Sequence, residues 1–252
     1  NPTALELQST LRAQGIDASI RQAVDGRQQM PELQGNERLS LHQTLLYRQT
    51  LLTSPEVGCY LSHFRLIREA YDAGLSHLCL FEDDVVAEPG IGDLLRDIVK
   101  LDDDAHLVRL MSLKIHKRKV IRPMACGYTL VRPLRGALGT QGYVVNRTGM
   151  KKILDFGATI YLPIDKLYDA FYLYDLKCFS VEPHAVYEIT HPTSVKKAKK
   201  LETLGWSIRL RSALNKLGRS IRRRQYYFMH RNEFSPAQKP THTVGKTQRI
   251  KT

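Results

Sequence analysis

Three consecutive acidic residues, Glu82, Asp83 and Asp84, directly follow the apolar run Leu78–Phe81. Such a run is typical of a buried strand, and ligands of open α/β sheets bind beyond the carboxyl ends of strands. Adjacent carboxylates repel one another unless a cation binds them, and alternate residues at a strand end can point the same way. We therefore expect Glu82 and Asp84 to share Mn²⁺ or Mg²⁺, hard ions that also bind phosphate oxygens. Such an ion would offset the charge developing on a departing diphosphate. The alternative is a solvated turn whose acids cap the following segment.

The elements around this acidic run alternate between helix and strand. Periodicity and turn residues predict helices over residues 3–14, 41–48, 55–71, 90–100, 148–154 and 167–174. Strands are predicted over residues 16–24, 78–81, 107–113, 127–131, 142–145 and 177–181. This alternation predicts an α/β fold with a mostly parallel central sheet and helices on both faces.

The net charge of +13 is concentrated in one segment of the chain. Between Lys196 and Arg224 lie eleven Lys and Arg residues and one acid, Glu202, so this segment carries ten of the thirteen net charges. A nucleic-acid partner is therefore not expected for the body of the chain. We expect residues 1–193 to form the catalytic domain and residues 194–252 a basic helical segment with a polar tail. No apolar run is long enough to predict a membrane span.

Five short motifs follow one another in an order that resembles glycosyltransferase family 25, which includes bacterial lipooligosaccharide galactosyl- and glucosyltransferases. They are Ala23–Arg27 (AVDGR), Gly58–His63 (GCYLSH), Leu78–Val85 (LCLFEDDV), Gly139–Tyr143 (GTQGY) and Leu162–Asp165 (LPID). The resemblance covers about residues 8–190. Family members normally begin with a strand and an N-L-x-R segment that holds the nucleotide. This chain starts at Asn1, already in the first helix, so either the first strand has been lost, which we expect, or donor binding is incomplete.

The resemblance implies a GT-A-like fold, a UDP-sugar donor, a metal held by an acidic motif and inversion at the anomeric carbon. Galactose is preferred over glucose as the donor hexose only by its frequency in the family. By this resemblance, Glu82 and Asp84 would contact the metal, and Asp165 would be the family's later acid. The residues that would contact the nucleotide or the sugar are Asp25, Gly26, Asp83, Gln141 and Gly142.

An inverting transfer needs a base that takes the proton of the acceptor hydroxyl. Asp165 is the candidate and Asp169 the reserve; the alternative role of Asp165 is a turn or cap acid after Pro163. Some related folds complete the metal site with a histidine from a late loop, for which His191 is the candidate, followed by His184. A histidine before proline is also common at the surface.

The segment from Trp206 to Arg224 is predicted to be a helix with one narrow apolar stripe and a cationic remainder. This pattern is typical of a helix at an anionic lipid surface. We therefore expect peripheral attachment to the cytoplasmic face of a bacterial inner membrane, where a lipid-linked saccharide acceptor would be presented. The alternative is a helix packed on the catalytic domain with its charges in water.

Two other functions remain open. A nucleotidyltransferase or phosphatase would also use acids at a strand end with a divalent ion, but the GCYLSH and GTQGY motifs argue against it. A non-enzymatic module that binds lipid or nucleic acid through the basic helix is the weakest alternative. The four cysteines form no C-x-x-C pair, which favours buried thiols in a reducing compartment over zinc ligands or disulfides.

Overall fold

A computed structural model describes residues 2–189 and 205–240 of the chain. The helices in these ranges are α1 (Pro2–Ala13), α2 (Leu41–Arg48), α3 (Ser54–Asp72), α4 (Ile91–Ile98), α5 (Arg147–Gly157), α6 (Ile164–Asp169), α7 (Trp206–Met229) and α8 (Arg231–Phe234). The strands are β1 (Arg38–Leu39), β2 (His77–Phe81), β3 (Val85–Ala87), β4 (Leu107–Arg109), β5 (Arg118–Pro123), β6 (Thr129–Pro133), β7 (Gly142–Asn146), β8 (Thr159–Ile160), β9 (Cys178–Glu182) and β10 (Val186–Glu188).

The central sheet has six strands in the order β2-β7-β4-β9-β6-β5. Of its five neighbouring pairs, β4 and β9 run parallel and the other four pairs run antiparallel. The prediction of a mostly parallel sheet is therefore wrong. A strand that is buried on both faces gives a continuous apolar run whatever the direction of its neighbours, so the sequence pattern does not reveal that direction.

Strand direction brings several chain segments to one edge of this sheet. Strands β2 and β4 are both antiparallel to β7, and β9 is parallel to β4. The carboxyl ends of β2, β4 and β9 therefore lie at the same edge, next to the first residue of β7. The acidic run follows β2 directly and is placed at this edge. In the described residues β2 is an outer strand of the sheet, with β7 as its partner.

Two apolar clusters cover the two faces of the sheet. One contains Tyr143 and Val145 of β7 together with buried residues of α3, α5 and α6. The other contains Val144 of β7 with buried residues of α1 and α4. Side chains alternate between faces along a strand, so β7 contributes to both clusters. The expectation of helices on both faces is confirmed.

Helix α3 is fixed at its start by a capping box. The Thr53 hydroxyl accepts a hydrogen bond from the Glu56 N–H, and the Glu56 carboxylate accepts one from the Thr53 N–H. The helix then buries Tyr60, Phe64 and Ile67 completely against the sheet. Loss of such a cap costs about 1 kcal/mol.

The strand predicted over residues 16–24 is wrong, because residues 16–37 contain neither helix nor strand. This segment lies along α3 and is held partly by side chains: the Val24 N–H donates to the Ser62 hydroxyl at 2.8 Å. Its loose alternation of apolar residues therefore reflects docking on a helix rather than sheet pairing.

The four cysteines are unpaired thiols, and Cys178 is buried and Cys79 half-buried. The prediction of buried thiols is wrong for Cys59 and Cys126, whose side chains are exposed. None of the helices in residues 2–189 and 205–240 has the length and apolar character needed to cross a bilayer.

Candidate functional site

The backbone and side chain of Glu82 are held by the GTQGY motif. Strand β2 pairs with β7 so that Phe81 lies opposite Gly142. The next residue, Glu82, donates its N–H to the carbonyl of Gln141 at 3.0 Å, and its carboxylate accepts a hydrogen bond from the Thr140 hydroxyl. The structure therefore brings Glu82, Gln141 and Gly142 together at the sheet edge.

Asp84 is the carboxylate whose environment is least favourable to its charge. Burial, followed by repulsion from Glu82, Glu188 and Asp83, raises the pKa of Asp84 to about 6. Its Oδ1 atom is buried and finds no hydrogen-bond partner among the described residues. Asp83 is exposed at the turn between them. A buried oxygen without a donor, surrounded by like charges, is the environment that a divalent cation would satisfy.

Glu188 is a further candidate site residue, and no motif in the sequence identifies it. Strand β10 pairs antiparallel with β3 and places Glu188 opposite Val85, while the N–H of Ile189 donates to the Asp84 carbonyl at 2.7 Å. This pairing brings an acid from the end of the domain beside the acidic run. The sequence does contain one sign of this residue: Glu188 directly follows the apolar residues Val186 and Tyr187 and lies three residues before His191. His191 itself lies outside the described residues, as do Lys196–Leu204 of the basic segment.

Asp165 lies in the first turn of α6, with its carboxylate accepting the Lys166 N–H at 2.7 Å. Burial raises the pKa of Asp165 above its ordinary value. Asp165 also acts on the thiol of Cys59: although the residue as a whole is exposed, desolvation of its sulfur and the charges of Glu82, Asp165 and Asp84 raise the pKa of that thiol to about 12. Asp165 thus contributes to the same electrostatic field as the acidic run.

The carboxylate of Asp169, the second candidate for the base, already accepts hydrogen bonds from other residues. Its Oδ1 atom accepts from the buried Arg109 guanidinium at 2.9 Å and from the Leu138 N–H at 3.4 Å. A Cβ added at Gly136 would lie 2.0 Å from the Asp169 Cγ, so this carboxylate packs tightly against the loop that leads to the GTQGY motif. Asp169 therefore anchors a loop, and Asp165 is the better candidate for proton transfer.

The AVDGR motif packs closely against the start of α3, and the close contacts are made at two glycines. A Cβ at Gly26 would lie 2.1 Å from the Ser54 carbonyl oxygen, and a Cβ at Gly58 would lie 2.8 Å from the Val24 carbonyl oxygen. These close approaches require glycine at both positions. Asp25 is exposed and accepts hydrogen bonds from Arg27 at 2.7–3.0 Å, which lower its pKa to about 2. The structure places Asp25 on an exposed loop before α3.

A model of glycosyltransferase family 25, described as an LPS biosynthesis protein family, matches residues 6–168. The chain belongs to glycosyltransferase family 25. The match includes the AVDGR, GCYLSH and GTQGY motifs, the acidic run and Asp165. The resemblance stated from these motifs is confirmed.

Curated relatives in family 25 include eukaryotic and bacterial enzymes. Human procollagen galactosyltransferase 2 is 29% identical over 209 residues, which cover 73% of this chain and 32% of that protein. Lacto-N-neotetraose biosynthesis glycosyltransferase LgtB of Neisseria meningitidis serogroup B is 32% identical over 111 residues (41% of this chain, 40% of LgtB). LgtE of Neisseria gonorrhoeae is 33% identical over 113 residues, with the same coverage. The matches therefore span about a third to two fifths of these relatives' own lengths.

His184 does not join the acidic run in this family 25 chain. The Ser112 N–H donates to the His184 Nε2 at 3.3 Å, so the neutral ring carries its hydrogen on Nδ1. Burial lowers the pKa of His184 to about 4, and its Nδ1 has no partner in the described residues. His184 lines a cleft with Ser112, Lys114, His116 and Ser180 near the carboxyl ends of β4 and β9. It is therefore a poor candidate for the metal ligand that the sequence left open.

Helix α7 docks on the body through polar and aromatic residues. The Ser212 hydroxyl accepts from the Gln49 amide at 3.2 Å, and the Arg219 guanidinium lies 3.5 Å from the centroid of the Tyr47 ring. Tyr226 is 4% exposed and belongs to the same apolar cluster as α3. The helix is thus packed on the catalytic domain, as the alternative interpretation of this segment expects.

The apolar stripe of α7 nevertheless faces away from the domain. Its large side chains are between 46% and 77% exposed, and they are Trp206, Leu210, Leu214, Leu217 and Ile221. Near the end of the helix Phe228 and Met229 are also exposed. These side chains stay exposed next to the other described residues.

Proposed function

We propose that this chain catalyses the metal-dependent transfer of a hexose from a UDP-sugar to a saccharide acceptor. The observation that carries the proposal is the buried Oδ1 of Asp84, which has no hydrogen-bond partner within residues 2–189 and 205–240 and lies near Glu82, Asp83 and Glu188. Family 25 membership supports sugar transfer, and the names of the procollagen relatives favour UDP-galactose over UDP-glucose as the donor.

The metal in this proposal is Mn²⁺ or Mg²⁺, held by Glu82, Asp84 and Glu188. All three offer hard carboxylate oxygens, which suit both ions. The ion would neutralise charge on the UDP leaving group. Thr140 orients the Glu82 carboxylate, and His191 remains a proposed ligand from the late loop. Asp83, Gln141 and Gly142 would contact the donor from the same edge, and Asp25 and Gly26 would line the nucleotide.

Asp165 is the proposed base of an inverting, in-line displacement. Its carboxylate is shielded enough for its pKa to be raised by burial, which strengthens it as a proton acceptor for the acceptor hydroxyl. Displacement with inversion needs no covalent intermediate, in keeping with the raised pKa of the nearby Cys59 thiol. The anomeric configuration of the product, determined by NMR, tests this step: a retained configuration would exclude it.

The proposed acceptor is a terminal sugar of a lipooligosaccharide or lipopolysaccharide intermediate. The family description and the names of LgtB and LgtE support a saccharide acceptor of this kind. The exposed stripe on α7, flanked by Arg209, Arg211 and Arg222, supports attachment to an anionic membrane. We propose that the protein works at the cytoplasmic face of the inner membrane, where a lipid-linked acceptor would be within reach.

A donor screen tests the transferase proposal directly. UDP release from UDP-galactose and UDP-glucose should require Mn²⁺ or Mg²⁺ and a saccharide acceptor, and Asp84→Asn should abolish it. Asp155→Asn, a surface variant in an exposed pair with Lys151, should behave like wild type. Failure of both donors with Mn²⁺ present, together with no UDP binding by titration, would overturn the proposal. Release of inorganic phosphate without sugar transfer would favour the phosphatase alternative.

Flotation with liposomes tests the membrane proposal. The intact protein should float with vesicles that contain anionic lipid, and less so at high salt. A Leu214→Glu and Leu217→Glu double variant should lose flotation, because it places two charges in the exposed stripe without touching the docked face. Truncating α7 is a poor test, since Tyr226 belongs to the core. Equal flotation of wild type and the double variant would overturn the proposal, and dimerisation without flotation would assign the stripe to a second copy.

A further inference from the structure

Three different metal-ligating groups converge beside the acidic run. The Sγ of Cys59, a ring nitrogen of His63 and a carboxylate oxygen of Glu82 all lie within 4.8 Å of one another. Cys59 and His63 are one turn apart on α3 and so share one face of that helix, while Glu82 comes from the end of β2. The fold therefore brings a thiol, an imidazole and a carboxylate together from two separate elements.

The imidazole is held in the orientation that a metal ligand needs. His63 is buried, and its Nδ1 lies 3.0 Å from the Tyr143 hydroxyl, which lies 2.9 Å from the Tyr168 hydroxyl. When the ring carries its hydrogen on Nδ1 and donates it to the Tyr143 hydroxyl, the lone pair of Nε2 is available to a metal. This Nε2 atom lies 3.7 Å from the Oε1 atom of Glu82. Ligating histidines usually have their second nitrogen fixed by an oxygen partner in this way.

We propose that Cys59, His63 and Glu82 form a binding site for a zinc-class divalent ion. A thiolate and an imidazole favour Zn²⁺ over the hard ions Mg²⁺ and Mn²⁺. Three protein ligands leave one tetrahedral position for water. Binding replaces the S–H bond of Cys59 with a metal–sulfur bond and releases the proton to solvent.

This site would oppose the proposed transferase reaction, and that consequence rests on the proposed function. Glu82 would be a ligand both of the zinc-class ion and of the Mn²⁺ or Mg²⁺ bound with Asp84. A carboxylate drawn towards His63 and Cys59 would not be available in the same geometry for the second ion. Zinc should therefore inhibit Mn²⁺-supported transfer, and Cys59 should determine how strongly it does so.

Cobalt substitution tests the site without any sugar substrate. Titration of the full-length protein with Co²⁺ should give thiolate-to-cobalt charge transfer in the near ultraviolet and the intense visible bands of a four-coordinate ion. Zn²⁺ should remove both signals by displacement. Cys59→Ser should abolish the charge-transfer band, whereas Cys126→Ser should keep it, because the thiol of Cys126 lies beside Asp93 instead.

The outcomes separate this proposal from the transferase proposal. Absence of charge transfer in wild type, or its persistence in Cys59→Ser, would overturn the zinc-class site whatever the enzyme does. In the transfer assay, loss of a ligand should raise the Zn²⁺ concentration for half-inhibition by at least about 100-fold, since even second-layer partners contribute about 10–100-fold to affinity. Equal inhibition of wild type and Cys59→Ser would show that zinc acts elsewhere.

Discussion

Replacing Asp84 with asparagine should stabilise the metal-free protein and, at the same time, remove its response to metal. Burial and three neighbouring carboxylates raise the Asp84 pKa from 3.8 to about 6. One pKa unit corresponds to about 1.4 kcal/mol, so the whole shift would amount to roughly 3 kcal/mol. Partial solvent access screens these charges, which reduces the expected effect to about 1–2 kcal/mol.

The pH dependence of this effect follows from the direction of the shift. The folded pKa of Asp84 lies above the unfolded value, so the free energy of unfolding falls as the pH rises from the unfolded pKa to the folded pKa near 6, because the unfolded chain loses a proton that the folded state keeps. Below the unfolded pKa, near 4, the carboxyl is protonated in both states and the cost disappears. Asparagine is uncharged throughout. The advantage of Asp84→Asn should therefore be full above about pH 7 and vanish by about pH 4.

Thermal unfolding in EDTA measures the difference. At a neutral to slightly alkaline pH, Asp84→Asn should melt about 2–8 °C above wild type, given roughly 2–4 °C per kcal/mol for a chain of this size. Mn²⁺ at about 100 times its dissociation constant should stabilise wild type by about 2.7 kcal/mol and the variant far less. Asp155→Asn should stay within about 0.5 kcal/mol of wild type. An Asp84→Asn protein that melts below wild type in EDTA would refute the reasoning.

Two further substitutions test the framework of the site. Arg109→Met removes the buried guanidinium that lies 2.9 Å from the Asp169 carboxylate. It should lower the free energy of unfolding, measured by urea titration, by about 3–5 kcal/mol. A loss below about 1 kcal/mol would contradict a structural role for this pair. Gly26→Ala puts a Cβ 2.1 Å from a backbone carbonyl of α3 and should cost about 1–3 kcal/mol and raise the KM for the donor. Gly218→Ala, in open space on α7, should instead add about 1 kcal/mol.

The sequence predicts the half of the site that is built from neighbouring motifs. Glu82 follows an apolar run, and the GTQGY motif is recognisable by itself, so pairing of β2 with β7 brings together groups that were already identified. Glu188 could not be found in the same way. It reaches Asp84 through the pairing of β3 with β10, strands of three residues each that lie about 100 residues apart in the chain. Three residues are too few to show alternation, so neither strand has a periodic signal.

The direction of the strands in the sheet could not be predicted from the sequence for a related reason. Residues of β7 are buried on both sides, and such a strand gives the same apolar pattern in parallel and antiparallel neighbourhoods. Direction is decided by connections, and β7 enters between β2 and β4 antiparallel to both. The wrong prediction of strand direction does not change the predicted location of the site, because the carboxyl ends of β2, β4 and β9 still lie at one edge of the sheet.

Helix α7 shows that the requirements of folding do not explain every apolar residue in the chain. Its attachment to the domain uses Ser212, Arg219 and Tyr226, none of which belongs to the apolar stripe. Burying a Leu or Ile side chain contributes about 1.5–3 kcal/mol, and the fold gains little of this from side chains that remain about half or more exposed. Contiguous exposed apolar residues of this kind usually mark an interaction surface. Because Arg209, Arg211 and Arg222 flank the stripe, the proposed anionic lipid surface would contact the stripe and also pair with these charges, whereas a second copy of the same helix would bring like charges together.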